Sequence, residues 1–232
     1  MDVNDVMNIK NKRILAISIT ALILVLSLIV VFSESRAINV DGKLTRVACL
    51  GDSITNITGY PADLQVLLGK NSTVGNFGYN GAAVNFYSDR TYFFSDSYRY
   101  ARNFQPTTII IMLGTNDARS NLDGQILNFT SDYEYMIEHI INGTRPFAGH
   151  PQIFLVMPPP IFENNLNLTS TIYTQEIIPA IQQVANSMGL PLIDVYTPLV
   201  NHPEYFPDGV HPNSEGAQII ANTVYNAITS SK

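Results

Sequence analysis

Two short segments consist almost entirely of large apolar residues, and they restrict the fold more than any other feature. They read TTIIIML (107–113) and QIFLVM (152–157). Continuous apolar runs of this length are typical of parallel strands that are buried on both faces of a sheet. Three further strand candidates surround them in the sequence: TRVACL (45–50), STVGNFGY (72–79) and PLIDV (191–195).

Longer segments between and after these runs show the spacing of amphipathic helices. Residues 176–188 and 214–229 each place apolar residues on one stripe, and Gly189 is a stop signal after the first. Pro179 predicts either the first turn of its helix or a kink. Strands that alternate with helices predict the α/β class, an open parallel sheet of about five strands. In such sheets functional groups gather at the carboxyl ends of the strands.

The N-terminal region carries a separate signal. Residues 14–32 carry no charge and are long enough, as a helix, to span a bilayer. Three basic residues precede them, which predicts a cytoplasmic N-terminus. A cleaved signal peptide is the alternative, with small residues in SRA (35–37). Either interpretation predicts an extracytoplasmic domain, membrane-anchored or secreted. The predicted organisation is a short cytoplasmic N-terminus (1–13), a transmembrane signal-anchor (14–32), a linker (33–44) and a folded domain (45–232).

Charge excludes one class of partner. The chain of 232 residues has a formal net charge of −6, and residues 37–232 contain no basic run and no stripe of basic and aromatic residues. Proteins that bind nucleic acid need such a surface to neutralise phosphates. The sequence therefore predicts no nucleic-acid partner.

Four polar motifs follow the predicted strands in turn. They are GDSIT (51–55), NFGYNGA (76–82), GTND (114–117) and PDGVHP (207–212). Each motif has an ordinary structural explanation. The Asp and Ser of GDSIT suit a helix N-cap, and Asn116 and Asp117 suit a turn. Gly81 suits a positive φ, and Asp208 and His211 suit a turn cap and a surface histidine. Their common position at strand ends favours a shared function instead.

The residue types at these ends match the needs of acyl transfer. Ser53 offers a nucleophilic hydroxyl, His211 a base that titrates near neutrality, and Asp208 a carboxylate to orient the imidazole. Donors for a developing oxyanion are available from the backbone of Ser53 and Gly81 and from the side-chain amide of Asn116. We also expect Ser53 to cap the first helix, because serine is a favoured N-cap residue.

These motifs resemble those of the SGNH hydrolases, also called the GDSL esterase and lipase family, over residues 45 to about 229. The family letters map onto Ser53, Gly81, Asn116 and His211, with Asp208 completing the triad. The resemblance implies a flavodoxin-like three-layer α/β/α sandwich in residues 45–232. It also implies ester hydrolysis that requires no metal and no cofactor.

The substrate is a finer question. MPPPIF (157–162) and FPDGVHPNSEGA (206–217) resemble the carbohydrate O-acetylesterase branch of the family, which implies a small ester or an acetylated glycan as the substrate. A thioesterase or lysophospholipase of the same family and a catalytically silent, membrane-tethered glycan-binding module remain alternatives. A flavin-binding carrier would leave Asn116, Asp208 and His211 without a role. An α/β-hydrolase would need G-x-S-x-G, whereas Thr55 occupies the last position.

Overall fold

A sheet of five parallel strands organises the protein. The computed structural model describes residues 45–119, 126–148 and 151–230. The strands are β1 (Thr45–Gly51), β2 (Ser72–Gly78), β3 (Thr108–Met112), β4 (Gln152–Met157) and β5 (Leu192–Asp194). Their order in the sheet is β2-β1-β3-β4-β5, which is the flavodoxin-like order of doubly wound folds. The five predicted strands are therefore confirmed, with ends that differ by at most one residue.

Both faces of the central strands are buried. Every residue of β3 is buried, and in β4 only Gln152 is exposed. Residues of these strands point alternately into two apolar cores. Ile109 and Ile111 belong to one core, whereas Ile110 and Met112 belong to the other. A continuous apolar run is thus the sequence that a strand between two cores requires.

Helices cover the sheet on both sides. The helices are α1 (Ser53–Ile57), α2 (Tyr60–Leu68), α3 (Asp96–Asn103), α4 (Phe129–Ala148), α5 (Ile178–Met188) and α6 (Ser214–Ser230). Helices α3, α4 and α5 contribute to the first core, and α2 and α6 contribute to the second. The predicted stripe of α6 is fully buried, from Ala217 to Ile228.

The helix predicted at 176–188 differs from the observed one at its start. A helical turn at Ser170–Ile172 leads into a π turn at Tyr173–Ile177, and α5 begins only after it. Pro179 lies in the first turn of α5, where its missing N–H needs no partner. Tyr173, the first residue of the π turn, is buried, and its hydroxyl oxygen lies 2.8 Å from the carbonyl oxygens of both Pro158 and Pro159. Gly189 ends α5 with φ of +63°, as predicted.

The predicted membrane anchor at 14–32 lies outside the described residues and stays a prediction. Among the helices that the structure describes, none combines the length and the apolar character that crossing a bilayer requires.

The two-sided burial predicts how truncations of apolar side chains will differ. Val184 on α5 is fully buried, whereas Val66 on α2 is 79% exposed. We expect Val184→Ala to lower the free energy of unfolding by about 2 kcal/mol, because it removes two methyl groups from a packed core. The identical change Val66→Ala should have an effect below about 0.5 kcal/mol. Urea unfolding of the full-length variants measures both, and equal effects would contradict the assignment of the core.

Candidate active site

The nucleophile candidate lies directly after β1. Asp52 is the N-cap of α1, and its Oδ1 accepts a hydrogen bond from the Ile54 N–H at 2.8 Å. Ser53 is the first residue of the helix, so the expectation that Ser53 caps it is wrong. The hydroxyl of Ser53 hydrogen-bonds to the His211 ring instead, and the side chain of the neighbouring Asp52 provides the N-cap.

Three of the predicted residues meet in one chain of hydrogen bonds. The Nε2 atom of His211 lies 2.8 Å from Oγ of Ser53, although the residues are 158 positions apart. The Nδ1 atom of the same ring lies 2.6 Å from Oδ2 of Asp208. A carboxylate can only accept, so Nδ1 carries the proton of the neutral ring and Nε2 is free to accept from the hydroxyl.

Asp208 stays ionised in this arrangement. Partial burial opposes ionisation, but hydrogen bonds from the backbone N–H of His211, from its ring and from the N–H of Val210 outweigh it, so the pKa of Asp208 is lowered. Its Oδ1 accepts from the two N–H groups at 2.7 and 3.0 Å. These bonds fold residues 208–211 into a tight turn, which Gly209 permits with φ of +80°. The same turn therefore fixes both the orienting carboxylate, Asp208, and the base, His211.

Donors for an oxyanion surround the hydroxyl. Gly81 follows β2, has φ of +75° and lines the cavity beside Ser53 and His211. Asn116 follows β3, in a 3₁₀ turn at Thr115–Ala118, and lines the same cavity. Its Nδ2 atom lies 3.2 Å from Oδ2 of Asp52 and 3.1 Å from the Ala82 carbonyl, so both amide hydrogens have acceptors.

Two buried carboxylates support these donors. Burial raises the pKa of Asp52 to about 6, against the opposing effect of its hydrogen bonds from the Ile54 N–H and Asn116. Burial also raises the pKa of Asp117 to about 7, although Asp117 accepts from the N–H groups of Val84 and Asn85 at 2.9–3.1 Å. Asp52 joins the ends of β1 and β3, and Asp117 anchors the loop after Gly81 to the end of β3.

An open cavity of about 400 Å³ leads to the hydroxyl. Its walls are apolar at Leu168 and Val210, and polar at Asn80. Arg90 and Arg119 also line it, and Nη2 of Arg119 donates to Oδ1 of Asn116 at 3.0 Å. Both arginines extend over Gly81, where an added Cβ would lie 3.0 Å from Cδ of Arg90 and 3.3 Å from Nη2 of Arg119.

The structure thus brings all five predicted site residues to one edge of the sheet, and it adds four that the sequence analysis gave no role. Asp117 and Arg119 follow Asn116 in the sequence GTNDAR, and their position after an apolar strand was a usable signal. Asp52 gave the same signal after β1. Arg90 lies in a loop far from any strand end, and no local pattern indicates it.

Comparisons with known proteins show the family of the chain. The sequence profile of the GDSL-like lipase/acylhydrolase family matches residues 49–219. An acetylxylan esterase from Xylanibacter ruminicola is 32% identical over 209 aligned residues, which cover 79% of this chain. The alignment covers 43% of the relative, so the chain spans less than half of that protein's length.

Solved structures show the same fold at low sequence identity. A carbohydrate acetylesterase from Sinorhizobium meliloti superposes with a TM-score of 0.65 at 14% identity, covering 81% of this chain and 100% of the other. The aryl esterase of M. smegmatis gives a TM-score of 0.63 at 17% identity, with coverage of 80% and 99%. At such identities the likeness concerns the fold alone.

The raised pKa of Asp117 predicts a pH-dependent stability. A carboxyl whose pKa is higher in the folded than in the unfolded chain stabilises the fold below its ordinary pKa of 3.8, and this contribution is lost as the pH rises to about 7. The full shift corresponds to roughly 4 kcal/mol. We expect Asp117→Asn, which cannot ionise, to be less harmful to stability at pH 7.5 than at pH 4.5, by 2 kcal/mol or more on this order-of-magnitude scale.

Urea unfolding of the variant and of the unchanged protein at both pH values measures this difference. Asp96→Asn is the matched control, because the Asp96 side chain is 74% exposed. The same destabilisation by Asp117→Asn at both pH values would show that Asp117 ionises as an exposed carboxyl does.

Proposed function

Because this chain belongs to the GDSL-like lipase/acylhydrolase family, we propose that it is a serine esterase that hydrolyses carboxylic esters. The observation that carries the proposal is the continuous hydrogen-bond chain from Oγ of Ser53 through the His211 ring to the Asp208 carboxylate, at 2.8 and 2.6 Å. Nucleophile, base and orienting carboxylate at these distances are what serine-based acyl transfer requires.

Acylation begins when Oγ of Ser53 attacks the carbonyl carbon of the ester. Nε2 of His211 takes the hydroxyl proton as the new C–O bond forms, and the Asp208 carboxylate stabilises the resulting imidazolium. The C–O bond to the alcohol then breaks, and the imidazolium returns its proton to the departing oxygen. The products of this step are an acyl-Ser53 ester and a free alcohol.

Deacylation repeats the sequence with water. Nε2 of His211 removes a proton from a water molecule as its oxygen bonds to the acyl carbon. The bond to Oγ of Ser53 then breaks, and the proton on His211 restores the hydroxyl. The carboxylic acid leaves, and the balance of both steps is one ester and one water giving one acid and one alcohol.

The oxyanion of each tetrahedral intermediate needs donors. We assign this role to the backbone N–H groups of Ser53 and Gly81 and to the Nδ2 group of Asn116. In the free protein Nδ2 already donates to Asp52 and to the Ala82 carbonyl, at 3.2 and 3.1 Å. Asn116 therefore serves the oxyanion by sharing or exchanging one of these long hydrogen bonds.

Acetyl groups on carbohydrates are the substrates that we propose. The relative from Xylanibacter ruminicola is named an acetylxylan esterase, and one structure with the same fold is a carbohydrate acetylesterase. Two segments resemble that branch of the family, 157–162 and 206–217. The second carries Asp208 and His211, and Phe162, which ends the first, donates its N–H to the carbonyl of Gly209 at 2.8 Å.

The triad predicts which substitutions abolish activity. We expect Ser53→Ala and His211→Ala to lower kcat/KM for 4-nitrophenyl acetate by at least about 10³-fold. The first substitution removes the nucleophile, and the second removes the base. Asp208→Asn should give a folded but much slower enzyme, since the amide no longer stabilises the imidazolium. Steady-state assays of the full-length protein without added metal measure these effects.

Ser131→Ala is the matched control for Ser53→Ala, because Ser131 is exposed on α4 and its hydroxyl donates to the Asn128 carbonyl, outside the cavity. It should keep full activity. Retention of activity by a folded Ser53→Ala protein would remove the serine-esterase proposal.

The acyl specificity separates the proposal from its family alternatives. We expect the highest kcat/KM for acetyl among acetyl, butyryl and octanoyl 4-nitrophenyl esters, and release of acetate from acetylated xylo-oligosaccharides. Product acids are measured by chromatography, with the Ser53→Ala protein as the background. A preference for octanoyl esters would instead favour a lysophospholipase or thioesterase.

A further inference from the structure

Two arginines in the cavity of Ser53 and His211 form no ion pair with any residue that the structure describes. Arg119 donates from Nη2 to the amide oxygen of Asn116 at 3.0 Å, and Arg90 donates from Nη1 to the Asn80 carbonyl at 3.1 Å. Both acceptors are neutral. In the described part of the chain, the ion pairs are Arg99–Asp96, His202–Glu204 and His211–Asp208. Within the described ranges, Arg90 and Arg119 thus bring two positive charges without an ion-pair partner to one cavity.

These charges lie beside the reacting centre. Both side chains pack over Gly81, whose N–H we assign to the oxyanion. An added Cβ at Gly81 would lie 3.3 Å from Nη2 of Arg119 and 3.0 Å from Cδ of Arg90. The two arginines also share the cavity wall with Ser53 and His211. A ligand that reaches the hydroxyl therefore passes within reach of the guanidinium groups.

Buried carboxylates nearby do not account for the arginines. Asp52 and Asp117 accept hydrogen bonds from backbone N–H groups and from Asn116 rather than from an arginine. Burial still raises the pKa of Asp117 to about 7, and the charge of Arg119 lowers it only in part. Each of the two guanidinium groups has one hydrogen-bond acceptor among the described residues, which leaves most N–H groups of Arg90 and Arg119 available to a ligand there.

We propose that the cavity selects esters whose alcohol part carries a carboxylate, and that Arg119 and Arg90 bind that carboxylate. The planar guanidinium fork matches the two oxygens of a carboxylate, and charge-assisted hydrogen bonds are the stronger kind. An acetyl group has no room for a second charge, so the carboxylate must belong to the alcohol. The inference rests on the proposed esterase function and names its substrate class: acetyl esters of acidic hydroxy compounds, acidic sugars included.

A different role for Arg119 gives a different result. If its charge acted on the oxyanion through Asn116, its loss would slow every ester alike and would appear in kcat. Recognition of a substrate carboxylate concerns only esters that carry one, and it appears mainly in KM. The discriminating quantity is therefore the ratio of kcat/KM for an anionic ester to that for a neutral ester of the same shape.

The matched esters are 4-acetoxybenzoate and 4-acetoxybenzamide, and chromatography of the released phenols gives both rates. We expect the full-length protein to prefer the benzoate. Arg119→Gln should lower the benzoate-to-benzamide ratio about tenfold or more, and Arg90→Gln about threefold, since charge-assisted hydrogen bonds of exposed groups are weaker. Arg119→Lys should keep part of the ratio. Arg99→Gln is the control, because Arg99 is paired with Asp96 outside the cavity.

Several results would overturn the inference. They are an unchanged ratio in both glutamine variants, or equal losses for the two esters in Arg119→Gln. Titration calorimetry with the unreactive Ser53→Ala protein tests binding without turnover, and equal affinity for the two esters would also overturn it. If the unchanged protein hydrolysed neither ester, the esterase proposal would fail. Tighter, Arg119-dependent binding of the benzoate would then still establish the anion site.

Discussion

The pairing of β1 with β2 on one side and β3 on the other holds the site together. Gly51, the last residue of β1, is in register with Gly78 of β2 and Met112 of β3, so three segments leave the sheet at one level. Gly51 has no space for a side chain, because an added Cβ would lie 2.7 Å from the Met112 carbonyl oxygen. The close approach of these strand ends makes neighbours of the residues that follow each of them.

Two of the residues at these strand ends are buried carboxyl groups. Asp52 and Asp117 are almost completely buried, and burial raises the pKa of both carboxyls. Burying these carboxyl groups opposes folding, whereas the hydrogen bonds that each one accepts from N–H groups offset part of this desolvation cost. What the protein gains is geometric: Asp52 binds Asn116 after β3, and Asp117 binds the N–H groups of Val84 and Asn85 after β2. Local rules of stability are often broken in this way at functional sites.

Sequence reasoning succeeded where one segment decides the outcome. The strand at 152–157 was predicted with its exact bounds because a continuous apolar run is stable only between two cores. Ser53 and His211 were placed together because parallel strands end at one edge. The errors concern neighbours in space. Asp52 rather than Ser53 caps α1 because a distant imidazole engages the hydroxyl. Whether the charges of the cavity arginines are paired depends on which carboxylates the loops bring near, and the sequence does not state that.

Asp208 and His211 lie on one turn, three residues apart, whereas Ser53 is synthesised 158 residues before His211. All five strands are complete by residue 194. During synthesis, the residues of all five strands and Ser53 are therefore present before His211, whose imidazole makes the hydroxyl reactive. A ribosome-bound chain, or one clipped by a protease ahead of residue 208, carries a dormant serine that is no better a nucleophile than any other. The order of the elements along the chain thus delays the chemistry until all five strands have been synthesised.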